Sequence, residues 1–242
     1  PTGPIVALVG VALAMVVVPF GPGLIGRDLG IGVFYVIVVI DFVVLGLALA
    51  GWGAATADAV ETCYRIVAQL VAYVVPLGLA YVGVIMMARS LSTVAIVEAQ
   101  HGLWFVVLQP VGFGLYLVTG LMQAYRTPFL EPFAASIGGG VLGSTGGWAA
   151  LLWRIALSGV LFLVAAIGAV LYLGGSNGPV LPGWAWMLIK TYALMALMLG
   201  LGRTVRPLST AEMLALSWKV LIPLGLVNVL LVGGLILVGV GP

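Results

Sequence analysis

Long apolar runs divide this chain, and they leave few folds open to it. A helix needs about 20 mostly apolar residues to cross the roughly 30 Å hydrocarbon core of a bilayer. Runs of that kind occupy Gly30–Gly51, Ile66–Ala88, Leu103–Ala124, Ile155–Leu173, Trp184–Leu201 and Val220–Val240. They are apolar on every face, without the alternation of barrel strands, which excludes a transmembrane β-barrel. Pro76, Pro110 and Pro223 fall inside them, where membrane helices tolerate proline at kinks. A further run, Ile5–Val18, is shorter and is closed by Pro19, Gly21 and Pro22. The expected architecture is all-α, a polytopic transmembrane bundle of about seven helices in one integral membrane domain over residues 1–242. Its first helix is expected to be truncated. The chain opens on Pro1 rather than Met, and it shows neither the basic leader nor the cleavage site of a signal peptide.

Composition closes off the other classes. Hydrophobic residues make up 63% of the 242 and charged residues only 7%, against about 25% charged in an average soluble domain. With nine Lys+Arg against seven Asp+Glu, there is no basic patch for nucleic acid. Cys63 is the only cysteine, so neither an internal disulfide nor a cysteine cluster can form. His101 is the only histidine and has only Glu98 near it in sequence, too few ligands for a metal. One Cys and one His offer no nucleophile–base pairing; no catalytic residue and no metal ligand are assigned. Gly138–Gly147 is not followed by the Lys-Ser/Thr pair of a phosphate loop and reads as a connector. Trp52, Trp104, Trp148, Trp184 and Trp218 fall at the ends of runs, as an interfacial aromatic belt requires.

Basic residues set the orientation. Arg65, Arg126, Arg154, Arg203, Arg206 and Lys219 gather on one side, with only Arg27 and Arg89 on the other. The positive-inside rule puts the first set in the cytoplasm. Ser90–His101 then lies outside, polar enough not to insert and apolar enough to lie along the surface.

Inside the membrane the ionisable residues are Asp41 and Lys190. Translocon scales put each at roughly +2.5 to +3.5 kcal/mol near a helix centre, so each needs a reason to be there. Counting about 1.5 Å per residue sets both roughly 15 Å above the cytoplasmic boundary, with Tyr73 and Asn228 at a similar depth. The four read as one polar layer. It is either a proton path or a structural Asp41–Lys190 pair, and equal depth predicts that these two side chains meet.

Several phrases also stand in a fixed order: Asp41 with Ala50-Gly51-Trp52; Tyr73 with Pro76-Leu77-Gly78-Leu79; Ile96-Val97-Glu98-Ala99-Gln100; Gln109-Pro110; Arg126-Thr127-Pro128-Phe129; Leu173-Gly174-Gly175; Lys190; Arg203-Thr204; and Trp218-Lys219-Val220-Leu221 with Pro223. In this order the chain resembles the NADH dehydrogenase subunit 1 family, the quinone-site membrane subunit of respiratory complex I, which includes anchor subunits of membrane-bound hydrogenases. The resemblance implies an eight-helix fold with the first helix missing here. It implies an interface that binds quinone non-covalently, without an intrinsic cofactor. It also implies other membrane and peripheral subunits as partners and a place in the inner (cytoplasmic) membrane. The polar layer of Asp41, Lys190, Tyr73 and Asn228 would then serve as the proton path; the Arg126, Pro128, Phe129 and Glu131 stretch of the matching phrase would dock quinone or a partner, with Arg65 on the same basic side. Two family carboxylates are replaced, by Gln123 and Val74, and Asp41 stands where the family has Glu. Glutamine passes a hydrogen bond but carries no exchangeable charge near neutral pH. Two readings result: a proton-coupling subunit of an NADH:quinone oxidoreductase, or an anchor that has lost coupling. On either, cysteines engineered between Tyr125 and Trp148 should react with impermeant thiol reagents only from the cytoplasmic side. Labelling from outside would reverse the orientation.

Overall fold

The computed structural model describes residues 2–54, 56–129 and 146–239. Helix α1 covers Gly3–Met15. Helices α2 (Gly32–Ile40) and α3 (Phe42–Gly53) make one traverse, interrupted at Asp41. The long α4 (Ala57–Ala88) returns, its start capped by the Thr56 hydroxyl, which accepts from Ala59 N. After α5 (Thr93–Glu98), α6 (Phe105–Leu108) and α7 (Pro110–Gln123) share a traverse broken at Gln109. Helices α8 (Gly147–Tyr172) and α9 (Gly183–Thr204) form a hairpin. The last traverse joins α10 (Thr210–Leu216), a π-helical turn at Ser217–Leu221 and α11 (Ile222–Leu237). Among the described residues no strand forms, and a single bridge pairs Gly21 with Leu24.

Five stretches are long and apolar enough to cross a membrane: Gly32–Gly53, Ala57–Ala88, Gly147–Tyr172, Gly183–Thr204 and Thr210–Leu237. The chain is a multi-pass integral membrane protein. The two other expected spans are present as shorter helices. One is α1, and the other is the α6–α7 traverse, cut because Pro110 has no N–H for the carbonyl of Val106. Pro223 acts similarly on the last traverse, where the wider π turn sits immediately ahead of it.

Small residues set the helix spacing, as they do where lipid supplies no hydrophobic drive between helices. A Cβ on Gly46 would lie 2.5 Å from the Gly3 carbonyl, and one on Gly10 would lie 2.6 Å from the Phe42 Cβ. These contacts clamp α1 against the α2–α3 traverse. On the other flank, a Cβ on Gly168 would meet the Tyr116 ring and Leu194 at 2.6 Å each. Helix α8, carrying Ala165, Ala166, Gly168 and Ala169, is the most enclosed span, and the last traverse is the most open.

Ser90–His101 departs from the expectation of a surface-lying segment. Thr93, Ile96, Val97 and Gln100 are buried in the chain's own bundle. The Gln100 amide donates to the carbonyls of Ile96 (3.1 Å) and Val170 (2.8 Å) and accepts from the N–H groups of Phe105 (3.2 Å) and Gly174 (3.0 Å). Thr93 Oγ1 donates to the Val17 carbonyl at 2.7 Å. The apolar residues that suggested a membrane surface serve to close one end of the bundle. The five belt tryptophans are all exposed, whereas Trp153 is buried.

Gly46→Ala should destabilise the protein by about 1–3 kcal/mol, since its new Cβ meets backbone that must shift. Gly78→Ala, where nothing lies within 4 Å of the added Cβ, should be neutral or gain up to about 1 kcal/mol. Thermal unfolding of the purified protein in detergent separates the two.

Candidate functional site

The helix interruption at Asp41 turns a carboxylate toward α4. The Tyr73 hydroxyl donates to Asp41 Oδ1 at 3.2 Å. Tyr73 is almost fully buried, and Asp41 keeps partial exposure. Tyr125, just past the end of α7 with φ at 51°, interacts with both Tyr73 and Asp41. One turn from Tyr73 on the same face of α4, Gln69 Nε2 donates to the Met122 carbonyl at 2.6 Å, which ties α4 to the end of α7. The neighbouring Gln123 is buried. The cluster therefore holds one carboxylate, two phenols and two amides. The carboxylate can take up and release a proton, and the phenols can pass one by exchanging donor and acceptor roles.

Lys190 is not part of it. Its ammonium donates to the carbonyls of Leu173 (2.6 Å), Gly175 (3.0 Å) and Asn177 (2.6 Å), which accounts for all three protons. It also lies 4.3 Å from the centroid of the Trp104 ring and 5.7 Å from that of Trp186. Among the described residues no ion pair joins it to Asp41. The expected meeting of the two is corrected, and so is the common depth. Side chains on a helix lean toward its N-terminus, and the long lysine stem runs from α9 back to the connection that follows α8.

Asn228 also separates from Asp41. It is buried against Gly83 of α4 and Gly112 of α7. Ten residues divide Gly83 from Tyr73, about 15 Å along the helix. The single polar layer read from the sequence is thus three places: the Asp41–Tyr73–Tyr125 cluster, the Asn228 notch and the Lys190 cage.

Of the docking residues, Arg65 pairs with Glu61 at 2.6 Å near the start of α4, with both side chains partly or well exposed. Pro128 and Phe129 are buried, and the Pro128 carbonyl accepts from Leu208 N at 3.0 Å. The Thr127 carbonyl rests against Gly202. This turn is thus fastened to the chain's own next connection, where Arg206 pairs with Glu212 and Glu212 closes a capping box with Ser209. Arg126 stays partly exposed, and partial burial draws its guanidinium below the ordinary arginine range. Glu131 and most of the Gly138–Gly147 connector lie outside the described residues. Sequence reasoning missed Tyr125, Gln69 and Gln100. Gln100 stood in a quoted phrase, and a glutamine closing an apolar run was the available signal.

Because Lys190 is held by neutral carbonyls, Lys190→Met should cost about 1.5–3 kcal/mol. Its effect should add to that of Asp41→Asn within roughly 0.5 kcal/mol in a double-mutant cycle on thermal stability. Rescue of one change by the other would restore the ion-pair reading.

The chain matches the family described as NADH dehydrogenase over residues 2–233. It is 33% identical to the second H-type subunit of NADH-quinone oxidoreductase from Rhizobium meliloti (strain 1021), with 95% of this chain and 74% of the relative covered. It is 34% identical to the second H-type subunit of the same enzyme from Syntrophobacter fumaroxidans, covering 97% and 74%. To the first H-type subunit of NADH-quinone oxidoreductase from Rhodopseudomonas palustris (strain BisB5) it is 35% identical, covering 95% and 72%. The chain belongs to the NADH dehydrogenase subunit 1 family.

Proposed function

We propose that the chain is a membrane subunit of a complex I-type NADH:quinone oxidoreductase in the inner (cytoplasmic) membrane, contributing to the quinone site and to the first part of the proton path. The observation that carries this is the Asp41–Tyr73 hydrogen bond, inside a bundle whose relatives are named as H-type subunits of NADH-quinone oxidoreductase. Electron transfer belongs to partner subunits, and quinone binds non-covalently where this chain meets them. The basic end, with Arg65, Arg126, Arg154 and Arg203, faces the peripheral partner, and Glu131 belongs to the same connection. Reducing a quinone consumes protons, and a carboxylate with two phenols beside it gives a protonic group close to that end.

Lys190 leaves the path in this reading, since its protons are all committed to carbonyls. Asn228 has no exchangeable proton near neutral pH and can only orient a neighbour. Asp41 is then the one intramembrane carboxylate that can gain and lose charge.

A second reading, an anchor without proton coupling, is favoured by two positions. Gln123 is buried and uncharged, and Val74, where the family carries a carboxylate, faces out of the bundle.

Asp41→Asn in the assembled complex separates the readings. Coupling through Asp41 predicts quinone reduction within about twofold of wild type and proton translocation reduced at least tenfold in proteoliposomes. A wild-type complex that reduces quinone without moving protons would establish the anchor. A chain that co-purifies with no other subunit in mild detergent would overturn both.

A further inference from the structure

Pro76 lies inside α4, and it has no N–H to give the carbonyl of Ala72, four residues earlier, its helical partner. That carbonyl is bonded all the same. The Ser217 hydroxyl, on the last traverse, donates to it. Ala72 and Ser217 are both fully enclosed, so the bond is made away from water and lipid. Ser217 reaches α4 from an irregular place in its own helix. It opens the π turn Ser217–Leu221, and the Ile222 N–H bonds back to the Ser217 carbonyl.

The residue next to Ala72 is Tyr73, whose hydroxyl donates to Asp41 Oδ1 at 3.2 Å. A proline inside a helix is where the helix bends, because the bond across that turn is missing. How α4 bends between Ala72 and Pro76 therefore decides where the Tyr73 phenol points. At 3.2 Å its bond to Asp41 is already longer than the usual O–H···O range, so a small change of bend opens it. The bond from Ser217 stands at the turn where that bend is set.

We propose that Ser217 is a positioning residue for the Asp41–Tyr73 pair: its hydroxyl takes the place of the Pro76 N–H on the Ala72 carbonyl and fixes the bend of α4 that aims Tyr73 at Asp41. A serine hydroxyl has one proton to donate, and here it is committed to a carbonyl. Ser217 therefore acts through Tyr73 and passes no proton itself. The π turn belongs to this device, since it holds the hydroxyl against α4 from the last traverse. A movement of that traverse would reach the carboxylate through this one bond. The consequence for proton transfer rests on the proton-path reading of Asp41; the placement of Tyr73 does not.

The vibrational band of the Tyr73 C–O bond in the assembled complex, assigned by its loss in Tyr73→Phe, reads whether the hydroxyl donates. Ser217→Ala should shift this band, with the share of molecules whose Tyr73 is off Asp41 rising about fivefold, the weight of one neutral hydrogen bond. Pro76→Ala gives the Ala72 carbonyl its own N–H, so adding Ser217→Ala to it should shift the band no further. An unmoved band in Ser217→Ala, or the same shift with and without Pro76, would overturn the proposal. If Ser217→Ala does not assemble, the double variant should, with its band where Pro76→Ala alone puts it; a double variant that also fails would overturn the proposal too. Proton translocation in proteoliposomes is measured beside the band, and coupling through Asp41 predicts that it falls in Ser217→Ala while quinone reduction holds. A band shift in a complex that moves no protons would uphold the placement of Tyr73 and overturn the coupling reading alone.

Discussion

Hydrocarbon offers no hydrogen-bond partner, so polar groups freed where a helix is interrupted within the membrane need partners other than lipid. At several places a polar side chain donates to a backbone carbonyl of another segment. Gln100 reaches Val170, Thr93 reaches Val17, Gln69 reaches Met122 and Ser217 reaches Ala72. Tyr116 donates to the Val164 carbonyl at 2.6 Å and Tyr172 to the Ala80 carbonyl at 3.1 Å. A neutral hydrogen bond of this kind contributes only about 1 kcal/mol net, but leaving the buried group unpaired costs about 1–3 kcal/mol. The positions of the breaks and of the glutamines, threonines and tyrosines are therefore coupled.

The same need explains the unequal treatment of the two intramembrane charges. Lys190 is fully satisfied by carbonyls and needs no anion. Asp41 accepts from the Tyr73 hydroxyl at 3.2 Å, lies beside Tyr125 and keeps partial exposure. A carboxylate cannot accept from carbonyls and needs donors such as the Tyr73 hydroxyl. The cation is fixed and the anion is comparatively free, a difference in chemistry that equal depth on two helices concealed.

Fold class and the approximate spans were legible because apolar run length against bilayer thickness is a strong constraint. Trp52 and Trp184 do stand at helix ends, as amphipathic rings at an interface would. Trp218 instead lies in the π turn inside the last traverse, because that helix begins at Thr210, well ahead of the apolar run. What sequence could not carry was where side chains finish. A rise per residue locates the Cα of Lys190, whereas its ammonium is set by a flexible stem and by a connection, Leu173–Asn177, whose shape no periodicity announces. Ser90–His101 misled for the opposite reason. A short segment with Ile96 and Val97 looks the same whether those residues meet lipid or the chain's own bundle. Tyr125 gave no signal, because its place beside Asp41 depends on a left-handed backbone turn after α7.

The Lys190 cage bears on how the chain enters the bilayer. The carbonyls that hold the ammonium, of Leu173, Gly175 and Asn177, follow directly on α8. A lone α9 would carry an unsolvated ammonium into hydrocarbon. Paired with α8, it finds three oxygens and the faces of two indoles within the same hairpin and its near neighbour. Helices α8 and α9 thus share the solvation of Lys190, since the carbonyls that hold its ammonium lie in the connection that follows α8.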